Sequence, residues 1–368
     1  MNRPYLAAVS TTVGTVVGGG ILALPYAVSK TGILPGLLLF VVIGTAGILI
    51  TAYTGELSSR FKRFHQIPVM VSEYAGNRYR PLVMLFQLVT IYGAQIAYLA
   101  GMGSALVFLF GMPFITAVAA VFLLSLPIIY KGASGVEKAE IPLTAIKLLL
   151  IVAVSVIVLT SLNVSNLSKS NPSQILQPFG VILFSLTGYT IIPEVKQELG
   201  KRIKDLTRVI VTSYIISISV YALFTIAFIG AFGPSVASIA TNTIGSRDYH
   251  VLFAVATIFL LITPYLTLSI ALSDAFSFDF KFRKYRAAAA ALLFPFIVAL
   301  LEPNFEKILE VTGGVFLSIL SILILIAVQD ARVRDGVPSY SAPKSRALMV
   351  FTAAVMVAGL VYTVINIL

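Results

Sequence analysis

Residues 6–28 form an uncharged stretch long enough to cross a bilayer, and it contains Val17-Gly-Gly-Gly-Ile-Leu-Ala-Leu-Pro25. A continuous membrane helix is hard to build from that segment. Three successive glycines remove the side chains that favour helix, and the proline five residues after Gly20 lacks a backbone donor, so the helix is expected to open near its middle. Opened backbone at membrane depth survives only where protein buries it or where it lines a cavity. The same device recurs at Ser185-Leu-Thr-Gly-Tyr-Thr-Ile-Ile-Pro193, where Gly188 stands five residues before a proline in another apolar run.

Hydrophobic residues make up 58% of the 368-residue chain and charged ones only 11%, which fits one integral membrane domain over 1–368 rather than several soluble ones. Apolar runs predict eleven spans, at 6–28, 33–59, 81–110, 112–130, 141–162, 176–194, 208–232, 250–274, 287–301, 307–329 and 347–368. Span 9 is short, with Pro295 and Pro303 nearby, and its ends are the least defined. Residues 67–74 read either as an interfacial helix or as a plain linker, and 163–175 as a polar loop. No cleavable signal peptide is expected, because the first span lacks a small-residue cleavage pattern. The chain has no cysteine, so disulfides and thiolate chemistry are excluded.

Charge placement tests this topology. With the N-terminus cytoplasmic, 22 of the 26 Lys and Arg residues fall on the inner side, and only Lys30, Lys169, Arg247 and Lys307 do not. The C-terminus is then external, and the net charge of +11 follows from orientation in a cell membrane with no need of a nucleic-acid partner. Five spans (6–162), five more (176–329) and an appended one (347–368) suggest an inverted repeat, each half starting with a broken span. Such paired discontinuous helices point to a transporter's substrate site.

The residues also carry a family resemblance. Gly14-Thr-Val-Val-Gly-Gly-Gly-Ile-Leu-Ala-Leu-Pro-Tyr-Ala27 resembles the first helix of the amino acid/auxin permease family, whose usual form is close to G-x-x-[IV]-G-x-G-[IM]-L-A-L-P. Ala52-Tyr-Thr-Gly-Glu56 is similar to the end of the second helix in bacterial aromatic amino-acid permeases. Phe179-Gly-Val-Ile-Leu-Phe-Ser-Leu-Thr-Gly-Tyr-Thr-Ile-Ile-Pro193 is similar to their sixth, with Tyr189 where a histidine is common. Leu268-Ser-Ile-Ala-Leu-Ser-Asp-Ala-Phe276 and Leu300-Leu-Glu-Pro-Asn-Phe305 resemble their eighth helix and the connection after the ninth. The resemblance, which extends to neutral amino-acid transporters, implies an all-α leucine-transporter-like fold of the amino acid-polyamine-organocation superfamily and a secondary active amino-acid transporter. It also implies that spans 1, 2, 6 and 7 move against a frame of spans 3, 4, 8 and 9.

An amino-acid zwitterion must exchange water for protein partners at both of its charged ends. Amides at Gly18, Gly19 and Gly20, at the start of a half-helix, suit the carboxylate. Carbonyls freed near Val16 and Val17, and around Phe184, Ser185 and Leu186, suit the ammonium. Tyr92, Gln95 and Tyr98 share part of a helix face, and Thr187, Gly188 and Tyr189 flank the second break. Glycines also permit close helix packing, and membrane tyrosines are often plain core.

Coupling centres on Lys147, about 9 Å into span 5 at 1.5 Å per residue. An ammonium there is costly and should face the bundle. Burial disfavours its charged form, which brings proton release and uptake within reach. Ala145-Ile-Lys-Leu-Leu-Leu150 resembles proton-coupled members that place a lysine where sodium-coupled members hold sodium between spans 1 and 8. Two other readings stay open at this point. The lysine's long stem could snorkel to the interface, and a sodium site could be built from Val16, Thr267, Ser269 and Ser273. Glu56, Glu194 and Asp274 are candidates for inner gate pairs with Arg3, Lys196 or Lys201. No metal centre or cofactor is expected. An intramembrane enzyme, a channel and an inactive scaffold are weaker readings, since His65 and His250 both lie off mid-span and no filter-like segment occurs.

Overall fold

The computed structural model describes residues 3–131, 140–243, 249–278, 281–301 and 304–367; Lys138, Arg247, Glu302 and Pro303 lie outside them. The described residues are almost wholly helical. Span 1 is α1 (Arg3–Val16) and α2 (Leu24–Ser29), joined by a 3-10 turn over Gly19–Leu22. Span 2 is α3 (Ile33–Ser59), followed by α4 (Ile67–Ala75). Then come α5 (Arg80–Phe110), α6 (Phe114–Lys131) and α7 (Glu140–Leu159) as spans 3 to 5. Span 6 divides into α8 (Phe179–Ser185) and α9 (Ile192–Leu199), with a 3-10 turn at Tyr189–Ile191. Spans 7 to 9 are α10 (Leu206–Phe232), α11 (His250–Phe278) and α12 (Lys284–Leu301). Span 10 is α13 (Phe305–Val311) and α14 (Ser318–Arg334), and span 11 is α15 (Arg346–Ile367). By length and hydropathy nine helical runs among the described residues qualify as crossings, because the break splits span 1 into short pieces and α8 to α10 run together.

Both predicted breaks are present, and the prolines act differently from the expectation. Pro25 and Pro193 sit in the first turns of α2 and α9, where a missing N–H costs nothing, so they start the second half-helices. The opening itself comes from the residues before them. Gly18 is extended (φ −112°, ψ −157°), and Leu186 to Gly188 leave the helix after Ser185. Where proline lies inside a run, at Pro127, Pro264 and Pro295, the helix continues, so α12 extends through Pro295 and begins three residues ahead of the expected 287.

Span 10 contains a departure with no counterpart in the sequence reading, a π-helical turn at Thr312–Leu317 that holds Gly313 and Gly314. A Cβ on Gly313 would meet the Gly180 carbonyl, and one on Gly180 would meet the Glu310 carbonyl, so the glycines let α8 and span 10 touch backbone to backbone.

Packing sorts the helices into groups. α5, α6, α11 and α12 pack on one another; α1, α3, α9 and α10 form a second set, with α7 against both α1 and α10. The segment at 67–74 is helical and buries Ile67, Met70, Val71 and Tyr74, packing on α14 and α5 rather than merely linking. Its Tyr74 hydroxyl donates to Asp335 at 2.5 Å; burial, and then the Asp335 carboxylate, push that phenol up to about 12. The polar loop at 163–175 lies over the α2–α3 turn, with the Asn171 amide donating to the Thr31 carbonyl at 2.8 Å.

Candidate functional site

The two breaks face each other in the middle of the bundle. Gly20 lies so close to Ser185 that a Cβ would strike its hydroxyl, and a Cβ on Gly188 would come within 2.9 Å of the Val16 side chain. Gly19 lies under Tyr98 and Leu261, at 2.6 and 2.4 Å or nearly so from any added Cβ. The glycine run therefore has a second use besides opening the helix. It lets the first break approach the second break and α5 more closely than any side chain would permit.

Carbonyls released by the breaks were expected to stand ready for a ligand's ammonium. Instead each has a donor within the protein, as buried backbone requires. Lys147 is 3% exposed and its ammonium donates to Gly14 O at 2.9 Å and Val17 O at 3.4 Å. It therefore points into the bundle, and the snorkelling alternative does not hold. The Tyr221 hydroxyl, from α10, lies against the Val16 carbonyl and 3.0 Å from the Ser185 carbonyl, so it joins the two breaks. Tyr214, two turns earlier, donates to Leu186 O at 2.8 Å and pairs with Thr51 of α3 at 2.8 Å. The Tyr98 ring lies over Gly19 with its hydroxyl beside Gly18, and the Tyr214 hydroxyl lies beside Gly188. Gly18 also bonds locally, its amide to Val16 O at 2.9 Å.

The other predicted residues divide between the breaks and their surroundings. Tyr98 and Phe184 meet edge to face at 6.4 Å between centroids, forming an aromatic wall beside the first break. Tyr189 is buried, and its hydroxyl has no hydrogen-bond partner among the described residues. Ser185 and Thr187 bond back to their own helix, to Val181 O and Leu183 O. Gln95 is fully buried and donates to Ser269 at 2.7 Å, with its amide oxygen unpaired among the described residues. Tyr92 turns away to α12, donating to Ala290 O at 2.9 Å.

The four residues of the alternative cation site differ in their surroundings. Val16 O is engaged by Tyr221, Ser269 by Gln95 and the Tyr265 carbonyl, and Thr267 lies on an exposed face bonded to Thr263 O. Ser273 is buried on α11.

At the basic end of the bundle, the gate pairs expected for Glu56 are replaced by different partners. Its carboxylate, 1% exposed, takes Arg332 at 2.7 and 2.9 Å, Arg60 at 3.1 Å and the Ala342 amide at 3.0 Å. Lys196 instead donates to the Ser58 and Phe61 carbonyls, both at 2.6 Å, at the C-terminus of α3. Glu198 of α9 accepts from Thr11 of α1 at 2.8 Å, tying the two half-helices. At the opposite end Lys30 pairs with Glu306 at 3.1 Å, joining α2 to α13.

Sequence reading missed Tyr214, Tyr221, Thr51, Leu261 and Arg332. A signal existed for the first two. Ser213, Tyr214, Ser217 and Tyr221 recur on one buried face of α10, a polar stripe in a largely apolar span.

A family model described as transmembrane amino acid transporter protein matches residues 4–368. Among solved structures, that of MhsT in complex with L-phenylalanine superposes with a TM-score of 0.67 at 14% identity, covering 99% of this chain and 98% of that one. At that identity the likeness establishes a leucine-transporter-like fold. No curated protein matches the chain by sequence.

Proposed function

This chain belongs to the transmembrane amino acid transporter protein family, and from that premise we propose that it is a secondary active symporter that carries neutral or aromatic amino acids by alternating access, driven by protons. The observation that carries this reading is Lys147, whose buried ammonium rests on the carbonyls of the first break, next to the place where the two breaks meet. A single buried cation at the hinge of a moving half-helix couples its protonation to that half-helix's position. With the ammonium already on Gly14 and Val17, a second cation there would be repelled, which favours protons over sodium.

Aromatic and glycine surfaces around the breaks, from Tyr98, Phe184, Tyr189 and Gly18 to Gly20, suit an uncharged side chain, and Lys147 is directed at backbone rather than at ligand. In this reading 6–162 and 176–329 are the two inverted five-helix repeats and 347–368 is appended to them. The excess of Lys and Arg at one end favours a cell-membrane protein with its N-terminus cytoplasmic and its C-terminus external.

Uptake of a labelled neutral amino-acid panel into proteoliposomes, under an imposed proton or sodium gradient, tests the proposal. Accumulation driven by protons is expected. Accumulation driven by sodium alone would refute the coupling, and no movement of any amino acid would refute the transport reading.

A further inference from the structure

Every crossing of a closed, water-excluding arrangement leaves freed backbone carbonyls in need of donors. When a symporter carries cargo, the cargo's ammonium is available for that role. When the carrier returns without cargo, the protein has to supply a replacement. We propose that the Tyr221 hydroxyl is that replacement, a surrogate for the substrate's ammonium that makes the unloaded return step accessible. This inference rests on the transport reading above and names a positioning residue that the sequence did not reveal.

The geometry distinguishes Tyr221 from its neighbours. Among the described residues its hydroxyl alone bonds to both breaks, at the carbonyls of Val16 and Ser185. Those carbonyls end α1 and α8, at the place where the zwitterion's ammonium is expected to be held. A phenol carries one O–H, which here is shared between the two carbonyls. Tyr221 is fully buried on α10, so its hydroxyl has been withdrawn from water for this purpose. Tyr214 provides the internal contrast. It donates to Leu186 O in the second break and pairs with Thr51, so it holds one break to α3 without bridging the two.

If the ammonium and the hydroxyl compete for the same carbonyls, removing the hydroxyl penalises only the unloaded closed state. The test compares two modes of flux in proteoliposomes, using labelled L-alanine and L-phenylalanine as probes. Exchange against the same unlabelled amino acid inside needs no unloaded return, whereas net proton-driven uptake into amino-acid-free vesicles needs one every turnover. For Tyr221→Phe we expect exchange within about twofold of wild type and net uptake reduced by about ten- to a hundredfold, the effect of orphaned buried carbonyls on one step. The purified variant should bind the probe at least as tightly as wild type.

The ratio of net uptake to exchange does not depend on how much protein folds. Tyr221→Gln, which keeps a donor and an acceptor, should recover that ratio, and Tyr214→Phe, which frees a carbonyl of the second break only, should lower it less than Tyr221→Phe does. A ratio unaltered in Tyr221→Phe, or one not recovered in Tyr221→Gln, overturns the role of Tyr221 while the transport reading stands on the wild-type flux. A wild type that neither exchanges nor accumulates either probe overturns both.

Discussion

Replacing Lys147 with methionine separates the lysine's structural role from its coupling role. Methionine keeps the length of the side chain and removes the ammonium. The hydrogen bonds to Gly14 O at 2.9 Å and Val17 O at 3.4 Å disappear, and each orphaned buried carbonyl costs about 1–3 kcal/mol, so the loss at these carbonyls amounts to roughly 2–6 kcal/mol. Against it stands relief of the penalty for holding an ammonium that is 3% exposed, which is on the order of several kcal/mol. The two nearly cancel, and thermal unfolding in detergent should move by only a few degrees. Coupling has no such offset. A pH difference of one unit is worth about 1.4 kcal/mol and lets a one-to-one proton symporter concentrate its cargo about tenfold. Wild-type vesicles should approach that ratio, whereas Lys147→Met vesicles should only equilibrate, with exchange retained. Tenfold accumulation by the variant would refute the assignment of coupling to Lys147.

Three further outcomes test the packing around the site. Glu56→Gln strips the carboxylate from two largely buried guanidiniums, Arg60 and Arg332, and should destabilise the protein by about 3–5 kcal/mol in thermal or denaturant unfolding; an unchanged transition would mean the cluster is solvated. Gly20→Ala places a methyl against Ser185 and should abolish uptake of the neutral panel, while Gly336→Ala, which meets nothing within 4 Å, should transport as wild type does. Lys30→Glu and Glu306→Lys should each weaken stability by about 1 kcal/mol or less, as befits a partly exposed pair, and the double reversal should recover most of it; additive losses would show that the pair contributes nothing.

The broken first span was legible because its cause is local. Three glycines and a proline alter backbone preference whatever surrounds them, and the apolar runs on either side can be satisfied only by lipid or by protein. The depth of Lys147 was readable from counting along one helix. Its direction was not, since a flexible stem of that length reaches either the interface or the bundle, and only the carbonyls of Gly14 and Val17 decide between them. Span 10's π-helical turn was hidden for a related reason. Gly313 and Gly314 signal weak helix, but the close approach of Gly180 from α8 beside the turn is a tertiary contact that the local sequence does not carry.

The candidate site was legible to the extent that the backbone forms it. Val16 to Gly20 and Ser185 to Tyr189 were marked by composition alone, and they do meet in the bundle. The donors serving them come from elsewhere: Tyr221 lies 205 residues from Val16, and Arg332 lies 276 from Glu56. The sequence by itself determined where the apolar helices lie, where the chain breaks and how far along its helix the buried cation stands, because hydrophobicity and backbone propensity act on a residue through its near neighbours. Only the tertiary structure decided which hydroxyl, ammonium or guanidinium completes each buried polar group. Those pairings depend on which faces of distant helices pack together, and the apolar sequences that make the helices insert are nearly indifferent to that choice.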